Sequence, residues 1–217
     1  MNKSVLASVA VVAVVAIAGA AWYMNRDTAT PTQTSEIAAE SQFNVVEMTQ
    51  GNMDAPVQVV EYASYTCPHC AAFHEGPYQQ VKQDYIDTGM IGFTYREVYF
   101  DQPGLWASMI ARCGGEMRFF GINNLLYENQ QEWARAGDGA AIAAALRQIG
   151  KVAGLSDEDL DACMADADKA QELMAWYQTN ADRDDVTGTP SFLINGEKVS
   201  NRDFLPALEA ALADANG

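Results

Sequence analysis

The sequence predicts an α/β domain split by an α-helical insertion. Three observations carry this. A β-rich run leads into a C-x-x-C pair at a helix start. Residues 105–182 are Ala-rich and helical in pattern. Strand signals then return around a tight hairpin turn before a last amphipathic helix. At 217 residues the chain is long enough for one sizeable domain, or a small domain carrying an insertion.

The N-terminus carries an export signature. Lys3 precedes an apolar run over residues 5–24 that is broken only by Ser8. Residues 1–26 are expected to be a signal peptide, with Ala18-Gly19-Ala20 as a small-x-small cleavage site, or a membrane anchor. At about 1.5 Å per residue the run is long enough to cross a bilayer, with Trp22 and Tyr23 at the far interface. Either way the remainder lies outside the cytoplasm, possessing an inner-membrane tether if residues 5–24 are retained. Residues 27–43 are rich in Thr, Ser, Ala and Glu and read as a polar linker.

Within the first part of the domain, residues 44–103, a turn at Asp54-Ala55-Pro56 precedes a buried strand over residues 57–62. From Pro68, suited to the first helical position, Cys70, Phe73, Val81 and Tyr85 fall on one helical stripe. Gly76-Pro77 should kink or interrupt that helix. Residues 91–98 form a second strand. The insertion, residues 104–182, is punctuated by Gly114-Gly115 and residues 137–139, and Ser156 with Asp159 makes a capping box. In the second part, residues 183–217, Asn195-Gly196 is a type I′ turn between strands at 191–194 and 197–199, and residues 204–212 form the last helix.

A net charge of −16 argues against a nucleic-acid partner, which needs a basic face, and otherwise reads as a solvated acidic surface. The cluster Asp157, Glu158, Asp159, Asp161, Asp166 and Asp168 lacks the loop spacing of a calcium site and reads as a solvated helix face. Trp106, Met109, Phe119 and Phe120 are expected in the core, some of them lining a hydrophobic substrate groove.

The chemistry is concentrated at Cys67-Pro68-His69-Cys70. A thiolate carries out disulfide exchange, and a cysteine where a helix begins faces unpaired N–H groups and the positive end of the helix dipole. Cys67 should therefore ionise easily, with His69 adding a donor or a positive charge, while Cys70 sits one turn on and faces inward. A C-x-x-C also occurs in zinc sites, but neither Cys113 nor Cys163 completes such a pattern and no metal is expected. A structural disulfide is the other alternative. In an oxidising compartment Cys113 and Cys163 are expected to bond each other, the alternative being two buried thiols. His74 is read as a surface or helix-packing residue without a role.

Residues 51–62 together with Cys67-Pro68-His69-Cys70-Ala71-Ala72-Phe73-His74 resemble the DsbA-like thiol:disulfide oxidoreductases, and Gly188-Thr189-Pro190-Ser191-Phe192-Leu193-Ile194-Asn195-Gly196 resembles that family's second signature. The resemblance implies a thioredoxin-like fold with an inserted helical domain from about Asn44 onward, and a cis Pro190 facing the redox pair. It implies that Cys67 is the attacked sulfur and Cys70 the resolving one, that Pro68 and His69 tune the potential, and that Thr189 and Pro190 present backbone groups to an extended client. Glu61 resembles a buried acid beneath the cysteines, which implies that it helps tune the pair and assists proton movement; its plain alternative is a strand residue at a polar edge. Thr189 departs from the residue found before the cis proline in the best-known oxidases and is shared with isomerase-like relatives.

The function implied is a periplasmic or otherwise extracytoplasmic monomer that introduces disulfides into exported proteins, without a cofactor, and is reoxidised by a quinone-linked membrane partner of the DsbB type. Two alternatives stay open: a disulfide isomerase or reductase, and a non-enzymatic module using Cys67, His69 and Cys70 as soft metal ligands.

Overall fold

A computed structural model describes residues 43–216. The expected signal peptide or anchor and nearly all of the linker lie outside the described residues. Among those described, no helix is long and apolar enough to cross a membrane.

Five strands form one mixed sheet in the order β1-β3-β2-β4-β5. Strand β1 (Met48–Gly51) was not anticipated. It is four residues of modest β-propensity, and it exists because it pairs antiparallel to β3 (Ile91–Glu97), Met48 opposite Tyr95 and Gly51 opposite Gly92. Gly51 has φ +77°, and a Cβ there would lie 2.3 Å from the Ile91 carbonyl oxygen, so only glycine fits. Strand β2 (Val57–Ala63) pairs parallel with β3 on one side and antiparallel with β4 (Ser191–Ile194) on the other. Strand β5 (Glu197–Val199) completes the hairpin with β4. Asn195 and Gly196 at its turn both have positive φ, 51° and 83°, as a type I′ turn requires.

Between β2 and β3 the chain forms α1 (Pro68–Glu75), α2 (Pro77–Val81) and a π-helical turn over Lys82–Ile86. Gly76-Pro77 interrupts the helix as expected. The insertion comprises α3 (Gln102–Cys113), α4 (Gly115–Glu128), α5 (Gln130–Trp133), α6 (Gly139–Val152), α7 (Asp157–Ala165) and α8 (Ala167–Arg183), and α9 (Phe204–Asn216) follows the hairpin. The starts of these helices are written in side chains. Asp101 accepts from Gly104 N–H at 2.8 Å, Asp138 from Ala141 N–H at 3.0 Å, and Ser156 with Asp159 forms the reciprocal box. Ile142, Leu146 and Ile149 recur at helical spacing and are buried, each worth about 1.5–3 kcal/mol when fully withdrawn from water. In the acidic cluster, Asp157 lies 2.7 Å from Lys151 and Asp161 2.7 Å from Arg147, exposed pairs on a wet face.

The central position of β2 sets up the site. Its alternation sends Val57, Val59, Glu61 and Ala63 to one face and Tyr62 to the other. Val57, Val59 and Ala63 pack with Cys70, Phe73, Phe119 and Tyr127 in the main core. Tyr62 packs on the opposite face with Val98, Leu193 and Tyr177.

Candidate active site

Cys67 is the N-cap residue of α1, with extended backbone (φ −83°, ψ 118°) and Pro68 immediately after it. Its carbonyl accepts from Cys70 and Ala71 N–H at 3.1 and 3.2 Å, so the first helical turn is already closed around the pair. Cys67 is half-buried and Cys70 buried, and both are thiols. The Thr189–Pro190 peptide is cis, and the Cys67 S–H donates to the Thr189 carbonyl at 3.5 Å. Residues some 120 positions apart in the chain therefore meet at one sulfur.

The two sulfurs are driven apart in proton affinity. Cys67 is lowered from the ordinary thiol value to about 5, first by the S–H of Cys70 donating to it. Partial burial opposes this. The buried Thr189 hydroxyl and the N–H groups of Cys70 and His69 add to the stabilisation. The thiol makes no capping hydrogen bond itself; the amides matter once the sulfur is ionised and can only accept. The neighbouring thiol thus adds a donor to the helix-start amides that the sequence pointed to. The exposed His69 acts here through its backbone N–H rather than its imidazole. Cys70 is pushed far up, chiefly by burial and then by its own role as donor to Cys67.

Glu61 is fully buried on the central strand, not at a polar edge. His74, given no role from sequence, is 2% exposed and places Nε2 at 3.1 and 3.0 Å from the two Glu61 carboxylate oxygens. The imidazole stacks on Tyr127, ring centroids 4.2 Å apart, and its edge meets Tyr95. The signal for this pair was available: His74 lies four residues after Cys70, on the same helix face, and Glu61 is in phase with the buried Val57 and Val59. Gln130 was also missed. From the insertion it donates Nε2 to the carbonyls of Tyr65 (2.8 Å) and Cys67 (2.9 Å), clamping the loop before the cysteines.

Two clefts flank Cys67. One, of about 570 Å³, is bounded by His69, Thr189, Pro190, Arg202 and Asp203. The other, of about 280 Å³, is bounded by Thr66, Pro68, Asp101, Gln130 and Arg135. None of Trp106, Met109, Phe119 and Phe120 lines either. Met109 and Phe119 are instead buried in the core. Cys113 at the end of α3 is bonded to Cys163 in α7, Cα atoms 5.9 Å apart. Among the described residues, no group of three or more His, Cys, Asp or Glu side chains is arranged to hold a metal ion.

Comparison with known proteins agrees with this geometry. The family model described as Thioredoxin matches residues 44–214. The chain belongs to the thioredoxin family. This thioredoxin-family chain is 33% identical over 156 residues to a Rickettsia bellii protein provisionally named a protein-disulfide oxidoreductase, a match covering 71% of the chain and 59% of that relative. The shared region is thus less than two thirds of the relative's length. Among solved structures it is similar to Wolbachia pipientis α-DsbA1 (TM-score 0.71, 22% identity, 82% of this chain and 96% of that one). It is also similar to a protein-disulfide isomerase from Novosphingobium aromaticivorans (TM-score 0.70, 25% identity, 76% and 97%). The thioredoxin-like fold with a helical insertion, expected from the two signatures, is the fold observed.

Proposed function

We propose that this thioredoxin-family chain is an exported thiol:disulfide oxidase that introduces disulfides into extracytoplasmic proteins through Cys67 and Cys70. The observation that carries the reading is the split in proton affinity across the pair: a half-buried Cys67 that ionises near pH 5 beside a Cys70 held protonated. A client thiolate attacks Cys67 in the disulfide form, the Cys67–Cys70 bond breaks, and Cys70 leaves and takes a proton. A second client thiolate then attacks the client sulfur of the mixed disulfide and releases Cys67 as a thiolate. The client loses two electrons and the protein gains them. A well-stabilised Cys67 thiolate favours the reduced protein and makes the disulfide a strong oxidant. The clefts either side of Cys67, next to the Thr189–Pro190 backbone, suit an extended segment of a reduced, unfolded exported protein.

Turnover requires reoxidation, which we assign to a quinone-linked membrane partner of the DsbB type, with the chain acting as a monomer in the periplasm or its equivalent. A second reading, isomerase or reductase, draws on the likeness to the Novosphingobium isomerase and on Thr189. Redox titration of the pair against glutathione separates them. A potential well above about −180 mV supports the oxidase; one near about −270 mV overturns it in favour of a reductant. A Cys67→Ser protein that still oxidises dithiols would reject both.

A further inference from the structure

The cations of this acidic chain are placed unevenly with respect to Cys67. Among the described residues, nearly every lysine and arginine is held by a carboxylate, and Arg118 donates to the Gly154 carbonyl. Arg135 and Arg202 are different. Both are exposed, and neither guanidinium has an ion pair or hydrogen bond to a described residue. They are remote in the chain, Arg135 just after α5 and Arg202 between β5 and α9. Yet each lines one of the two clefts that flank Cys67, Arg135 the smaller and Arg202 the larger. Each cleft also holds a carboxylate, Asp101 in the smaller and Asp203 in the larger. These carboxylates are already engaged where helices begin. Asp101 Oδ1 accepts from Gly104 N–H at 2.8 Å, and Asp203, immediately before α9, accepts from the Ser200 hydroxyl at 2.6 Å. The positive end of a helix offsets part of an anion's charge. The guanidinium is therefore the charge that each cleft leaves uncompensated. Neither arginine is among the main causes of the Cys67 acidity, so the thiol chemistry does not account for them.

We infer that Arg135 and Arg202 are specificity-determining residues that select client segments carrying carboxylates on both sides of the reactive cysteine. The inference rests on the oxidase reading proposed above. A client whose thiolate attacks Cys67 runs past that sulfur in extended form, so the residues on one side of its cysteine enter one cleft and those on the other side enter the second. At about 3.3 Å per residue, the nearest few side chains on each side fall along the clefts. A guanidinium grips a carboxylate through two parallel N–H···O bonds, which a lysine cannot do. Because both arginines are unpaired, a client carboxylate displaces no existing partner. The chain as a whole carries a charge of −16 and repels acidic polypeptides at long range. At about 0.1 M salt that field is screened beyond about 10 Å, and the cations in contact with the client decide. The net charge and the two arginines thus predict opposite preferences, a basic client from the first and an acidic client from the second.

The test uses the full-length protein with Cys67 and Cys70 in the disulfide form. Its substrates are reduced peptides with two cysteines, identical except that the residues flanking each cysteine are glutamate, glutamine or lysine. The readout is the second-order rate constant with which each peptide reduces the Cys67–Cys70 bond. At about 0.1 M salt the constants should fall in the order glutamate, glutamine, lysine, by at least about tenfold overall, as two exposed ion pairs gained and two like-charge contacts avoided would give. Arg135→Gln and Arg202→Gln should each reduce that ratio about threefold, and Arg135→Glu combined with Arg202→Glu should invert the order. At about 1 M salt the ratio should shrink toward one. Both positions are on the surface, where such substitutions leave the fold nearly unaffected. A general loss of activity does not move the readout, because it is a ratio between peptides on one protein. Equal constants for the three peptides, a lysine preference that follows the net charge, or an unchanged order in the doubly substituted protein overturns the inference. A wild-type protein that oxidises none of the peptides refutes the oxidase reading, and this inference with it.

Discussion

Removing the Cys70 thiol is the perturbation that most directly interrogates the site. Cys67 ionises near pH 5, and the first cause is the hydrogen bond from the Cys70 S–H. At pH 7, two pH units higher, thiolate should outnumber thiol by about 100 to 1. A hydrogen bond to a charged group contributes about 1.5–3 kcal/mol, which corresponds to roughly one to two pH units at about 1.36 kcal/mol each. Because Cys67 is only half-buried, water replaces part of the lost donor and the lower figure applies. Cys70→Ala should therefore move the midpoint upward by about one pH unit, with the Thr189 hydroxyl and the helix-start amides holding the rest. The assay is the rate of iodoacetamide alkylation against pH for the reduced wild type and for Cys70→Ala. The same ionisation must appear in stability. A thiol acidified on folding stabilises fully above its unfolded value, and the contribution is lost as pH falls toward the folded value near 5. The stability of reduced wild type minus that of Cys67→Ser should rise from pH 5 toward pH 9. A wild-type midpoint near about 8.5 together with a flat stability difference would refute the reasoning.

Other consequences concern the scaffold. Replacing Cys113 and Cys163 together by Ser opens a loop with a sequence separation of 50; chain entropy puts the loss at about 4 kcal/mol, readable as a lower denaturant midpoint without change in the Cys67 alkylation profile. Gln130→Leu withdraws the partner of the Tyr65 carbonyl and one partner of the Cys67 carbonyl, so a loss of about 1–3 kcal/mol is expected in denaturant melts, with slower dithiol oxidation as the loop loosens. Arg112 holds the fully buried Glu97 with two bonds of 2.7 Å. Arg112→Met leaves that carboxylate with only the Ser108 hydroxyl of its side-chain donors and should cost about 3–5 kcal/mol, readable in denaturant melts.

Most elements were legible in the sequence because their signals are local. The β2 run, the Pro68 helix start, the break at Gly76-Pro77, the Ser156 box and the Asn195-Gly196 turn each depend on a few adjacent residues, and all are present. The C-x-x-C pair and the Thr189-Pro190 signature were legible for the same reason. Strand β1 was not, because an edge strand of four residues is defined by the partner it pairs with. Gln130 was hidden because its role depends on carbonyls more than 60 positions away.

The sequence by itself determined that a cysteine would begin a helix after a buried strand, and that this place favours a thiolate; backbone geometry at a helix terminus follows from local composition. Only the tertiary structure decided which groups surround the pair. It set the Cys70 thiol above the helix amides as the main support of the Cys67 charge, and brought Thr189 to the sulfur across the sheet. It also buried Glu61 against His74. Those relations depend on distances between elements remote in sequence, and on how far water is excluded between them, which a linear pattern does not encode.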